Sequence, residues 1–519
     1  MKKKKVISFV LAGALVMGAG QAWAATTHYN DSSVVRGTGE WSDWVQGWDE
    51  MAADFTQVSL TPGCAETELN FAWYSKGTNP TPMVYFGTDG ENMQIFNGHS
   101  GPVDPSLTNG ETYYYNYVTA TGLQENTTYY YAVCKNGVAA PAEEYRTGSF
   151  ENVKILYFGD PQIGASKGQP QGETMLSDES GAANTAARND SYAWDRTLDI
   201  AVSQNHNINF AISAGDQVNK TGDAKEEEYA GYLSASALKS LPVATTIGNH
   251  DSLNPDYSYH FNNPYPTGLG MTQAGGDYFY TYGPGLFIVL NTNNYNVAEH
   301  ELAIQQAVNM YPDVQWRVVT IHQDIYGSGL DHSDTDGMIL RTQLTPVFDR
   351  YDIDVVLQGH DHTYSRSKLL YGDGQTHGSY EFRLNEEGDD YDWDNAYNTV
   401  TGEKIGLYPE DTDAAGQEAL NRFTADNSCY TIENAGGMYV TDPVGTLYMT
   451  ANSASGSKYY ELIPSQQDYV ANRSQNWLPS YSIIDMDADD FSITTYQITD
   501  AGDVQVIDNT FTIHKTTTR

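Results

Sequence analysis

Five short apolar runs each end in a loop carrying Asp, Asn or His, and their order constrains the fold more than any other feature. Lys154–Phe158 leads into Gly159-Asp160-Pro161-Gln162, and Asn209–Ser213 into Gly215-Asp216. Val243–Ile247 leads into Gly248-Asn249-His250-Asp251, Arg317–Ile321 into His322, and Asp354–Leu357 into Gly359-His360-Asp361-His362. Short, continuous apolar runs closed by glycine read as strands buried on both faces. Helical spacing lies between them: Trp194, Leu198, Ala201 and Val202 follow Ser191, placed as a cap, and a helix is expected from Glu226 to Leu241. Such alternation predicts an α/β domain. In open α/β sheets, sites form beyond the carboxyl ends of the strands, so the five loops are expected to converge.

The converging loops present Asp160, Gln162, Asp216, Asn249, His322, His360 and His362. Mixed carboxylate, amide and imidazole donors suit borderline divalent or trivalent ions. Seven donors exceed one tetrahedral site but suit two ions sharing a carboxylate. Taken singly, the pieces say little: a Gly-Asp pair is usually a turn, and a lone histidine at a strand end is usually a hydrogen-bonded core residue. The pair flanking Asp361 is the most specific element. The Gly-x-Ser-x-Gly spacing at Gly164-Ala165-Ser166-Lys167-Gly168 does not directly close an apolar run, so it is not read as a nucleophile elbow.

Upstream, short strands are expected at Val58–Leu60, Glu68–Tyr74, Val84–Gly87, Tyr113–Ala120 and Thr128–Cys134, separated by turn clusters such as Thr108-Asn109-Gly110. That spacing is the pattern of an all-β sandwich. Strands return at Ser480–Met486, Phe491–Ile498 and Val504–Ile513, while the acidic stretch from about 385 to 426 reads as insertion loops.

The 519-residue chain has 27 Lys plus Arg against 67 Asp plus Glu, a formal charge of −40. That balance excludes nucleic acid and anionic membrane surfaces as partners, which need a basic footprint. Lys2–Lys5, the apolar run Val6–Gly18 and Ala22-Trp23-Ala24 form a signal peptide over 1–24, too short to span a bilayer. The chain is therefore expected to be exported (secreted, periplasmic or cell-surface) without a transmembrane anchor, after cleavage near Ala24. Residues 25–50 would form a lead segment. Export permits a Cys64–Cys134 disulfide; two buried thiols are the equal alternative.

The ordered loops resemble the motifs of the calcineurin-like metallophosphoesterase superfamily, which run D-x-H, G-D, G-N-H-[D/E], H and G-H-x-H. The resemblance covers Asn152 to about Ser367, and Gly445–Lys515 resembles the family's C-terminal strands. Leu123–Tyr129 resembles the tyrosine corner of fibronectin type III domains, with Glu125 at the usual proline. The pairing is similar to purple acid phosphatases and their bacterial relatives. It implies a fibronectin type III-like sandwich over 51–150, followed over 151–519 by an α/β metallophosphoesterase domain, a two-sheet αββα sandwich.

The resemblance implies two metal ions (Fe, Mn or Zn), a small phosphate-ester substrate, and in-line attack on phosphomonoesters by a metal-bridging hydroxide. Asp160 and His362 would bind one ion, Asn249, His322 and His360 the other, and Asp216 both. His250 would protonate the leaving group, with Asp251 orienting it. Gln162 departs from the family histidine, and Asn219 from the tyrosine that colours purple acid phosphatases, so no purple band is expected. Two alternatives stay open: a phosphodiesterase or nucleotidase on the same centre, and a secreted binding protein with a degenerate phosphatase-like domain. Locally, two divalent ions outweigh Asp160, Asp216 and a hydroxide, so the global charge does not exclude a small phosphate ester.

Other candidates are weaker. Asp390–Asn395 alternates carboxylates but lacks the Gly and Glu of a calcium loop. His260, His300 and His332 are expected in loops, His332 exposed rather than lining the site. Arg366 and Tyr364 either contact substrate or pack beneath it.

Overall fold

The computed structural model describes residues 28–29, 39–77, 81–135, 137–166, 185–330, 332–333, 337–388, 390–407, 413–434 and 437–519. The leader expected over 1–24 lies outside them, and no helix among the described residues is long and apolar enough to cross a membrane.

Alternation in the first strands builds a two-sheet sandwich. One sheet runs Ser59–Pro62, Glu68–Lys76, Tyr113–Thr121, His99–Pro102; the other runs Glu143–Arg146, Thr128–Lys135, Met83–Gly87, Gln94–Asn97. Phe71, Trp73, Val84, Phe86, Val118, Tyr131 and Val133 fill the space between. The Tyr129 hydroxyl accepts from the Gln124 amide at 2.8 Å, which pins the corner entering Thr128–Lys135. Cys64, Cys134 and Cys429 are all free thiols.

Downstream lie two seven-stranded sheets. The first runs Val243–Thr245, Phe210–Ser213, Val153–Phe158, Ser480–Met486, Asp490–Ile498, Val504–His514, Tyr439–Thr441, and its first three strands are mutually parallel. The second runs Tyr278–Tyr282, Gly285–Val289, Trp316–Thr320, Val355–Gln358, Leu447–Thr450, Tyr364–Ser367, Val470–Ser474. Ile155, Tyr157 and Ile212 meet Val289, Val318, Leu357 and Met449 between the sheets. The intervening Leu156, Phe158 and Ala211 face a helical layer with Trp194, Tyr229 and Tyr232. Across the molecule, Ile288, Val319 and Val356 pack with Ile304, Leu340 and Phe348 of helices Val297–Met310 and Gly337–Arg350. Both strand faces are covered, which is why these strands read as unbroken apolar runs.

Several expectations are corrected. The helix begins at Thr185, so Ser191 lies inside it and its hydroxyl donates to the Arg188 carbonyl instead of capping. The helix expected from Glu226 to Leu241 ends at Leu233, and a 3₁₀ turn follows at Ser236–Lys239. The lead segment holds a helix, Gly39–Ala52, whose Trp48 joins the core beside Trp194. The acidic 385–426 stretch contains strands Asn395–Asn398 and Lys404–Gly406 and helix Ala414–Asp426. Asp413 caps that helix through the amides of Ala415 and Gly416, while Ala419, Leu420 and Phe423 are buried.

Candidate metal centre

The five strand ends do converge, and the backbone there is held in an unusual state. Asp160, Gln162, Asp216, His360 and His362 have φ of 44°, 38°, 49°, 70° and 47°. Non-glycine residues rarely take the left-handed region, and such conformations cluster where surrounding structure over-determines a functional geometry. The preceding glycines are needed for close approach. A methyl group on Gly248 would overlap the Asp216 carboxylate, and one on Gly215 the His322 ring.

Two groups of buried donors result. Asp216, His322 and His360 form one, and Asp160, Asp216 and His362 the other, with ligand atoms in each within 4.8 Å of one another. Asp216 belongs to both. His322 Nε2 lies 3.0 Å from Asn249 Oδ1, 3.1 Å from His360 Nδ1 and 3.4 Å from Asp216 Oδ2. Its Nδ1 donates to the Ala214 carbonyl at 2.8 Å, and His362 Nδ1 donates to the Lys458 carbonyl at 2.8 Å. Those outer bonds select the tautomer that leaves each Nε2 lone pair facing inward, as metal ligands require. His362 Nε2 is 3.7 Å from Asp160 Oδ1. The Asp160 carboxylate accepts from the His360 amide at 3.0 Å, and Asp216 Oδ1 from the His250 amide at 2.9 Å.

Burial raises the Asp160 pKa to about 8, opposed by His322. His322 is lowered by burial, but Asp216 and Asp160 outweigh this and raise it to about 9. Burial also pushes Asp216 up, yet the histidines around it hold it well below the carboxylate range. Gln162 is fully buried, its backbone N–H donates to the Asp216 carbonyl at 2.8 Å, and neither side-chain amide atom has a hydrogen-bond partner among the described residues. Buried anions, inward lone pairs and an orphaned amide fit a pair of cations.

His250 stands at the open side, 21% exposed, with Nε2 4.0 Å from Asp216 Oδ2. Its Nδ1 contacts the Asn219 carbonyl. Burial lowers its pKa to about 4, opposed by Asp216. Asp251 does not face that ring: its carboxylate accepts from the Gly248 amide at 3.0 Å, Gln217 Nε2 at 2.7 Å and Tyr229 Oη at 3.3 Å. His332 does reach the site, correcting the expectation of an exposed loop: it is half-buried, stacks on His360 at 3.7 Å and meets Tyr460 edge-on. This loop is tied down by Asp361, whose carboxylate accepts from the Gly329 amide at 2.6 Å and from the Ser333 hydroxyl.

The remaining candidates are structural. His260 ends the short helix Asp256–His260 and pairs with Glu226 at 2.7 Å; His300 lies in helix Val297–Met310 and pairs with Asp277 at 2.8 Å. Neither is in a loop as expected. Arg366 and Tyr364 both bind the buried Asp508 carboxylate. Asp392 is occupied by Asn395, Tyr397 and Lys404, so this loop is tied by its own contacts.

The calcineurin-like phosphoesterase family model matches residues 153–364, the part of the chain that carries the five converging loops. A second model, the purple acid phosphatase N-terminal domain, matches 55–148, so the chain joins a calcineurin-like phosphoesterase domain to a purple acid phosphatase N-terminal domain. Two uncharacterized Mycobacterium tuberculosis proteins are 23% identical over 336 residues, 59% of this chain and 61% of theirs. The chain thus spans about three fifths of the length of these relatives. Purple acid phosphatase 1 of Ipomoea batatas is 28% identical over 156 residues, 27% of this chain and 32% of that protein. Among solved structures, a purple acid phosphatase from Lupinus luteus seeds aligns over 89% of this chain and 75% of its own, with TM-score 0.52 and 13% identity. PhoD aligns over 88% and 92%, with TM-score 0.50 and 10% identity. Both are likenesses of fold.

Proposed function

We propose that this protein is an exported phosphatase hydrolysing phosphomonoesters at a pair of metal ions, with leader 1–24, sandwich domain 51–150 and catalytic domain 151–519. The observation that carries this reading is Asp216, one buried carboxylate common to two donor groups. Asp160, Gln162, Asp216 and His362 would hold one ion; Asp216, Asn249, His322 and His360 would hold the other. Such a pair, Fe, Mn or Zn, supplies charge for the phosphate oxygens and an activated water.

The chain's own residues orient and move protons. The Ala214 and Lys458 carbonyls keep two imidazoles in the ligand tautomer. His250 holds its ring beside Asp216 on the open side, placed to give a proton to the departing alkoxide. Its pKa is depressed by burial, and an anionic ester arriving beside it opposes that shift, coupling protonation to substrate binding. Asn219 offers no phenolate, which supports a protein without purple colour.

The test is hydrolysis of a chromogenic phosphomonoester and a diester with added Mn, Zn or Fe, wild type against Asp216→Ala. Metal-dependent turnover of the monoester, two ions per wild-type chain and loss of both in the variant are expected. Faster diester turnover would make the protein a phosphodiesterase. No metal-dependent turnover of either ester would sink the enzyme reading, and a purple absorption band would overturn the inference from Asn219. N-terminal sequencing of the exported protein is expected to begin at Ala25.

A further inference from the structure

Lys225 stands where local rules disfavour a lysine. It is the N-cap of helix Glu226–Leu233 without making a side-chain cap bond, and it places a cation at the positive end of the helix dipole. Its side chain is also fully buried. A charge so placed persists only where its surroundings hold it, and positions that break local rules are where function is to be sought. Here Nζ donates to the His250 carbonyl at 2.7 Å and to the Lys220 carbonyl at 3.3 Å, and lies 3.7 Å from the buried Asp256 carboxylate.

Those three contacts tie the loop following Asp216 to the turn carrying Asn249 and His250, and both to the helix Asp256–His260. Asp251 clamps the same turn from inside, through the Gly248 amide and Gln217. The chain of contacts continues outward. Glu226, next to Lys225, accepts from Tyr74 Oη at 3.0 Å and pairs with His260 at 2.7 Å. Tyr74 lies on the sandwich strand Glu68–Lys76 and stacks on His260 at 4.5 Å.

We infer that Lys225 is a positioning residue for His250: its ammonium fixes the backbone of the 248–251 turn so that the ring stays beside Asp216, and the sandwich domain steadies Lys225 through Tyr74 and Glu226. This rests on the phosphatase reading of the site, in which His250 protonates the leaving group.

The double variant Lys225→Met/Asp256→Asn removes both charges of the buried pair, so neither is left alone. Tyr74→Phe is the near-isosteric second variant, should the first not fold. A lost general acid is felt only by a poor leaving group, and general-acid catalysis is worth about 100-fold or more. The double variant is therefore expected to lose about 100-fold in kcat on an alkyl phosphate such as glycerol phosphate, and under about 3-fold on 4-nitrophenyl phosphate. Tyr74→Phe is expected to show the same selectivity, smaller. Equal losses on both substrates would overturn the inference.

The second readout needs no turnover. In metal-free protein, amide hydrogen exchange across 248–251 is expected to quicken about tenfold in the double variant and less in Tyr74→Phe, with the sheet strands unchanged. Unchanged exchange at that turn overturns the role of Lys225, whatever the activity. A wild type that hydrolyses neither ester, with exchange quickened as expected, refutes the phosphatase reading and leaves the positioning contact standing. Tyr74→Phe identical to wild type in both readouts removes the sandwich domain from the inference.

Discussion

His300 and His322 are both fully buried beside carboxylates in one domain, yet they use their ring nitrogens differently. His300 spends both: Nδ1 faces Asp277 at 2.8 Å and Nε2 the Asn294 carbonyl at 2.7 Å, while Asp277 also accepts from the Asn291 amide. His322 spends one on the Ala214 carbonyl and turns the other toward Asn249, His360 and Asp216. The first arrangement is closed, with every donor and acceptor matched within the protein. The second gathers more lone pairs than protons, an imbalance that a cation resolves. A structural histidine beside a carboxylate is thus told from a ligand by whether its second nitrogen is already used.

Substituting each histidine should break that comparison most strongly. His322→Ala is expected to lower metal-dependent turnover by about 100-fold or more, since even partners outside the ligand set are worth about 10–100-fold. His300→Ala should strand the Asp277 carboxylate and cost about 3–5 kcal/mol of stability, while the folded fraction keeps wild-type turnover per bound metal pair. Urea unfolding followed by turnover of the remaining native protein measures both. A His300→Ala protein of normal stability and no activity would show that the closed pair belongs to the site.

Metal removal sharpens the same contrast. Ions that bind only the native state stabilise it by about 2.7 kcal/mol at a hundredfold excess over Kd. A chelator should therefore lower the Tm of wild type by a few degrees, about 2 °C or less per kcal/mol for a long chain. The chelator effect should be absent in Asp216→Ala and intact in His300→Gln, as differential scanning fluorimetry would report.

What sequence could supply, and what it could not, follows the same physics. A buried strand closed by glycine announces itself through composition, and the glycines at 215 and 248 are required because the His322 and Asp216 side chains pass where a Cβ would stand. Left-handed backbone at Asp160, Gln162, Asp216, His360 and His362 leaves no such mark, because none of these residue types demands it. Lys225 begins a Lys-Glu-Glu-Glu run that reads as a solvated face, and only the fold reveals that Lys225, Glu226 and Glu228 are buried. His332 comes to His360 by loop packing across sequence, and helix Ala414–Asp426 owes its burial to a few apolar residues in an acidic stretch. Charge runs and loops are where tertiary contacts decide, and local pattern carries least there.

A pH series tests the closed pair with a smaller effect. Burial alone lowers the His300 pKa, but the Asp277 charge and hydrogen bond outweigh it and leave it raised. A raised histidine pKa stabilises the fold fully below the unfolded value of about 6.5, and the contribution is lost as pH rises through the folded value. In metal-free protein, the stability difference between wild type and His300→Gln should be largest near pH 5.5 and shrink steadily toward pH 9. A difference flat across that range would mean that the pair is not charged in the folded state.

The smallest expected effect bears on the weakest donor by chemistry, the neutral amide of Gln162. Both its side-chain amide atoms are buried without a hydrogen-bond partner among the described residues, and an unpaired buried polar group costs about 1–3 kcal/mol. Gln162→Leu keeps the approximate shape and removes that cost, so the metal-free variant should be slightly more stable than wild type. If the amide meets an ion, or water held by one, the loaded protein should respond in the opposite sense, with one of the two ions bound about tenfold more weakly. Titration calorimetry and Tm measured with and without metal separate the two signs. A Leu variant stabilised in both states, with both affinities unchanged, would place the Gln162 amide outside the centre and reduce the first donor group to Asp160, Asp216 and His362.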